Sequence, residues 1–263
     1  MNKQKIISYA YRMKNALWNY IFPPRCIVCD KITEQEDGQI HENCRKKLYP
    51  VEGPVCFRCG RPVSDEKYEY CYDCAQKVYG INDSCVQKRH GAEISHYIQG
   101  KALFVYQGDI KQTMYRFKYS NRREYGAFFA EYACRKYGDW IREHRIEAIV
   151  PVPMYKKKQR RRGYNQAELF AAELGAGMGL PVCRNLIKRV RDTVPQKELN
   201  DQMRINNLKN AFQIVQNEVE YRYILLVDDI YTTGSTAGAV AGVLQSAGVR
   251  EVYLMNICIG KGF

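Results

Sequence analysis

Residues 224–236 read I-L-L-V-D-D-I-Y-T-T-G-S-T, an apolar stretch running into two aspartates and then a turn of small hydroxyl residues and one glycine. At the start of a helix, the backbone N–H groups and hydroxyls of Thr232, Thr233, Gly234, Ser235 and Thr236 can converge on one phosphate, where the helix dipole favours negative charge. Gly234 permits close backbone approach. Asp228 and Asp229 would repel a bare phosphate, so they must face another part of the ligand. Vicinal ribose hydroxyls or a bridging Mg²⁺ fit that role, and the chemistry is that of a phosphorylated sugar. A capped helix after a D-D turn is the plainer reading, but it needs no five-residue run of small donors. Neither a dinucleotide fingerprint nor a P-loop pattern is present.

A second chemistry lies upstream. Cys26, Cys29, His41 and Cys44 repeat thirty residues later as Cys56, Cys59, Cys71 and Cys74, position for position. Paired two-residue knuckles supply four ligands at tetrahedral reach, so each copy suits a closed structural Zn²⁺ site, Cys₃His and then Cys₄. Disulfides are the competing explanation; a chain without a secretory signal is expected in the cytoplasm, where thiols stay reduced. Seven thiolates around two Zn²⁺ make this segment a poor phosphate binder. Cys85, Cys134, Cys183 and Cys258 have no matching spacing and read as ordinary thiols.

The third feature is basic. Lys156, Lys157, Lys158, Arg160, Arg161 and Arg162 place six positive charges in seven residues, after the apolar run that ends in P-V-P. Such a loop suits pyrophosphate or a nucleic acid backbone, against the plainer reading of a solvated charged loop. The formal net charge of +13 is concentrated in the first 25 residues and after residue 90, outside the cysteine-rich segment. A positive field of that kind favours nucleic acid or polyphosphate partners.

These groups need a scaffold. Length and 46% hydrophobic content allow one moderate domain plus a smaller module, with no apolar run long enough to cross a membrane. The expected parts are a basic amphipathic helix over residues 1–25, a double zinc-ribbon module over 26–90, and an α/β domain over 91–263. Apolar positions at helical spacing in the first part suit packing on the protein itself or a membrane surface. In the third, strands are expected at 102–106, 146–152, 186–190, 211–215, 224–227 and 251–257, and helices at 110–119, 124–144, 164–175 and 235–245. Strands separated by helices argue for a mainly parallel sheet with ligands at the strands' carboxyl ends. The polar segment 188–212, with Arg189, Arg191, Asp192, Thr193, Gln196, Arg204 and Asn207, reads as a mobile flap, and Arg116 and Lys118 as cleft borders.

The run at 224–236 resembles the phosphoribosyl-pyrophosphate (PRPP) motif of type I phosphoribosyltransferases. The chain as a whole resembles the ComF family, competence-associated proteins with a double zinc ribbon before a phosphoribosyltransferase-like domain. The likeness rests on P-P-R-C-I-V-C at 23–29, C-F-R-C-G at 56–60, F-K-Y at 117–119, P-V-P at 151–153, R-R-G-Y-N-Q-A at 161–167, Gln196, Arg204, N-x3-A-F at 207–212 and V-D-D-I-Y-T-T-G-S-T. His41 departs from the cysteine usual there. The resemblance implies a type I phosphoribosyltransferase-like fold and a cytoplasmic factor for natural transformation. Such a factor acts on single-stranded DNA with helicase and recombination partners. Tyr164, beside the basic run, is the expected base-stacking platform. An active phosphoribosyltransferase of nucleotide salvage, using PRPP with Mg²⁺, is the alternative. No acceptor pocket is legible.

Overall fold

The computed structural model describes residues 23–33, 39–79, 97–191, 211–215 and 219–261. The expected N-terminal helix, Cys85, and the flap positions Asp192, Thr193, Gln196, Arg204 and Asn207 lie outside the described residues.

Valine, isoleucine and leucine runs without alternation suit strands buried on both faces, and four of them form the main sheet. Its strands are β1 (Gly100–Val105), β2 (Ala148–Pro151), β5 (Tyr223–Tyr231) and β6 (Glu251–Ile259), all parallel in the order β1-β6-β5-β2. On one face lie α3 (Gly108–Tyr119), α4 (Tyr125–Glu143) and α6 (Gln166–Met178), packed through Phe117, Phe129 and Phe170. On the other lies α7 (Ser235–Ser246), through Val240 and Leu244. Each fully buried phenylalanine contributes roughly 1.5–3 kcal/mol relative to exposure. β3 (Ile187–Arg189) and β4 (Phe212–Ile214) leave the main sheet and pair antiparallel with each other. This is an α/β domain with a wholly parallel main sheet, consistent with the expected type I phosphoribosyltransferase-like fold, preceded by a double zinc-ribbon module.

Two local expectations change. Residues 156–162 form a helix, α5 (Lys156–Arg162), rather than a loop. Lysine, arginine and glutamine are good helix formers, and Gly163 ends the helix in the left-handed region at φ +89°. The strand bearing the aspartates does not stop at Val227 either. Its ladder with β6 continues through Tyr231 opposite Ile259 because β6 stays apolar to its end.

The zinc module straddles the β1 edge of the sheet. Its first ribbon contains the short helix α1 (Glu42–Arg45) and its second α2 (Tyr72–Tyr79). Ile27, Val28 and Leu48 of the first join the core under α3 and α4, whereas Cys56, Cys59, Cys71 and Cys74 of the second join the core beside α7. The linker between the ribbons runs along β1: Val51 N–H donates to Leu103 O at 2.9 Å, and Val105 N–H to Tyr49 O at 2.8 Å.

Candidate functional site

β5 delivers Asp228 and Asp229 to the carboxyl end of the sheet, both half-buried. Asp228 Oδ1 accepts the Asp229 N–H at 2.8 Å. Burial, reinforced by the adjacent Asp229 charge, pushes the Asp228 carboxyl up to about 7. Lys118 reaches in from the last turn of α3, with its Nζ 2.7 Å from Asp229 Oδ2. Burial pulls this ammonium down, but the Asp229 and Asp228 carboxylates outweigh it and leave the group above its ordinary value. Arg189, on β3, adds positive field at Asp228. Of the two expected cleft borders, Lys118 therefore lines the acidic pair. Arg116 instead donates from Nη2 to the Ile27 carbonyl at 3.1 Å and to that of Val28, on the first ribbon.

The acidic pair is not an open cage for a resident Mg²⁺. Such an ion takes near-octahedral oxygen ligands at about 2.0–2.1 Å, whereas Asp229 already holds the Lys118 ammonium. One polar group here escaped sequence reading. Asn256, opposite Asp228 in the β5–β6 ladder, is 1% exposed, and neither Oδ1 nor Nδ2 of its carboxamide has a hydrogen-bond partner among the described residues. Buried amides left unpaired cost about 1–3 kcal/mol, so an orphan in register with Asp228, on the sheet face away from Asp229, suits ligand hydroxyls or ordered water. Its signal in the sequence is a single asparagine inside the apolar run of β6.

After β5 the chain turns through Thr232 and Thr233 into α7. Gly234 sits at φ +81°, and an added Cβ would lie 2.3 Å from the Tyr231 hydroxyl. Both the backbone conformation and the space therefore demand glycine. Thr233 Oγ1 and Ser235 Oγ are 2.8 Å apart, and Thr233, Gly234, Ser235 and Thr236 are half-buried at the helix start. The loop thus places a row of small hydroxyl residues and one glycine directly after the strand that carries the acidic pair.

The cysteine repeat is a structural repeat. Cys26 N–H bonds Lys31 O as Cys56 N–H bonds Arg61 O, and Asp30 N–H bonds Cys26 O as Gly60 N–H bonds Cys56 O. In each cluster the four ligand atoms lie within 4.8 Å of one another. Cys59 and Cys71 sulfurs are 3.7 Å apart, close to the edge of about 3.8 Å set by a tetrahedron with Zn–S bonds of about 2.3 Å. His41 Nδ1 lies 3.3 Å from Cys29 Sγ, and its Nε2 lies 3.0 Å from Ile32 O. With the proton on Nε2, the ring is oriented for ligation through Nδ1. In the second cluster, sharing with Cys59 holds the Cys56 thiol far down, while Cys59 and Cys74 are pushed up by their neighbours. Thiols this crowded ionise together only around a cation. Both clusters fit structural zinc.

On α5, Lys156, Lys157, Lys158, Arg160 and Arg161 are exposed, and Arg162 is half-buried. Arg162 Nη1 donates to Gln166 Oε1 at 2.7 Å, Nη2 to the Tyr119 hydroxyl at 3.2 Å, and its guanidinium lies 4.9 Å above the Tyr119 ring. Tyr164 is not a stacking platform. It is 6% exposed and its hydroxyl donates to Phe117 O at 2.5 Å. The exposed aromatics beside α5 are Tyr115 and Tyr119, at 55% and 60%, one helical turn apart with ring centroids separated by 5.0 Å.

The family described as "Double zinc ribbon domain" matches residues 17–75. "Competence protein F" of Haemophilus influenzae is 31% identical over 227 residues, covering 82% of this chain and 94% of that protein. "Competence protein ComFC" of Bacillus subtilis is 28% identical over 236 residues, 85% and 89% of the respective chains. "DNA utilization protein YhgH" of Salmonella typhimurium is 28% identical over 225 residues, 82% and 94%. With 31% identity over 94% of the Haemophilus protein, the chain belongs to the ComF family of competence proteins.

Proposed function

We propose that this protein is a competence factor of the cytoplasm that binds incoming single-stranded DNA during natural transformation. Its phosphoribosyltransferase-like pocket takes PRPP or a related phosphorylated sugar. The observation that carries this reading is the last turn of α3. Lys118 faces the acidic pair while the next residue, Tyr119, lies under Arg162 at the end of the basic helix. Stacking rings beside a cationic helix suit a strand with unpaired bases, because every base presents a π face and every linkage a phosphate. The relatives named for competence and DNA utilization support the same assignment. Helicase and recombination proteins are the partners such a role requires.

In the pocket, Thr232, Thr233, Gly234, Ser235 and Thr236 would take the 5′-phosphate, and Asp228 and Asp229 the ribose hydroxyls. Mg²⁺ would enter on the oxygens of PRPP itself, because Lys118 holds Asp229. Replacing the six basic residues of α5 by glutamine should weaken single-strand binding by at least tenfold at low salt. The same change should flatten the dependence of log K on log[salt], measured by fluorescence anisotropy. An unchanged slope would remove α5 from the interface. The second reading, a salvage phosphoribosyltransferase, is favoured by the glycine-gated donor row beside two carboxylates. Pyrophosphate release from PRPP with a panel of free bases and amines tests it, and robust turnover with any acceptor would displace the binding role.

A further inference from the structure

The second zinc ribbon reaches the donor row from behind. Arg61, 5% exposed, pairs with Asp73 through Nη1 and donates from Nη2 to the carbonyl of Thr232 at 3.1 Å, 171 residues away in the chain. Lys77, on α2, donates from Nζ to the carbonyl of Thr233 at 2.7 Å. These are the two peptide groups that lead into Gly234. A trans peptide is planar and its C=O and N–H point in opposite directions. Holding the Thr232 oxygen against Arg61 therefore turns the Thr233 N–H away from the ribbon, and holding the Thr233 oxygen against Lys77 does the same for the Gly234 N–H. Free peptides would sample both orientations and lose part of the binding free energy to ordering.

The ribbon is itself a firm support. Gly60 packs so closely on β1 that an added Cβ would lie 2.7 Å from Gly100 O. Arg61 Nη1 also lies 3.8 Å from the Cys71 sulfur, so the anchor is fixed to the metal cluster at one end and to the loop at the other.

We infer that Arg61 and Lys77 are positioning residues of the sugar-phosphate site, which makes the second zinc ribbon the outer wall of the phosphate cradle. The inference rests on the sugar-phosphate reading of that loop. Its consequence is functional coupling. Whatever loosens the second ribbon lowers affinity for the phosphorylated sugar, although no ribbon side chain need touch the ligand.

The test is calorimetric titration of the full-length, zinc-loaded chain with ribose 5-phosphate and with PRPP, with metal content and single-strand affinity measured in parallel. Lys77→Met keeps the aliphatic stem and removes the donor. It should weaken sugar-phosphate binding on the order of tenfold, the size of a lost charge-assisted hydrogen bond, with two zinc ions and the DNA affinity retained. Lys77→Arg should stay within about threefold of wild type, since it keeps a charged donor of similar reach. Undiminished binding by Lys77→Met overturns the inference, as does an equal loss of DNA and sugar-phosphate affinity or a failure of Lys77→Arg to restore binding. Absence of binding by the wild-type chain overturns the sugar-phosphate reading itself, a distinct result.

Discussion

Asp228 carries an electrostatic cost at the carboxyl end of the sheet. Its carboxyl ordinarily titrates near 3.8 and is pushed up to about 7 in the folded chain by burial and by Asp229. Between those values the unfolded chain has released the proton and the folded chain still holds it, so stability falls as pH rises toward 7 and the loss is complete above it. Asparagine carries no such proton. Asp228→Asn should therefore raise the melting temperature relative to wild type by a few degrees at about pH 8 and by less at about pH 5.5, while removing ribose recognition. Thermal melts at the two pH values check this; an equal difference at both would show that the carboxyl is not strained by burial. A residue that destabilises the empty protein has its compensation in what it binds. Asn256, whose buried carboxamide has no partner among the described residues, is a second such group beside Asp228.

At the level of elements, α3 connects three separate parts of the molecule. Thr113 donates to Ile27 O at 2.7 Å and Arg116 to Ile27 O and Val28 O, which fixes the first ribbon. Lys118 pairs with Asp229, and Tyr119 lies exposed beside α5. These residues fall on different sides of one helix, so their roles can be separated by substitution. Arg116→Met should remove the charged donor to the ribbon and cost about 1.5–3 kcal/mol of local stability. Zinc release from the first site to a chromogenic chelator should then accelerate while the second site keeps its rate. Equal acceleration at both sites would show that the ribbons are held as one body. The elements also show why α5 was misread from sequence. Six charges in seven residues carry no apolar periodicity, and only propensity and the Gly163 stop point to a helix. Tyr164 was misplaced because its partner, the Phe117 carbonyl, is 47 residues away and main-chain acceptors leave no mark on composition.

Across the whole molecule, what was legible in sequence is what is local. The thirty-residue cysteine register, the alternation of buried strands with long helices and the strand that ends in the acidic pair are each written within a few dozen residues, and each has its counterpart in the fold. What was not legible is how distant segments meet: Lys118 on Asp229, Arg61 on Thr232, Asn256 beside Asp228, and the antiparallel pair β3–β4 standing off the main sheet. Those contacts depend on tertiary packing, which single residues do not announce. The zinc module illustrates the point. Spacing identified two closed metal sites, but not that they would lie on opposite faces of a sheet.

The linker between the ribbons follows the outer edge of β1, with bonds to Leu103 and from Val105. An outer strand that lacked this cover would offer a ladder of unmet donors and acceptors to any passing chain. The short segment around Pro50 therefore acts as a guard against polymerisation. A nascent chain has made this guard before it makes the strand that needs it, so the sheet need never be complete and uncovered at the same time.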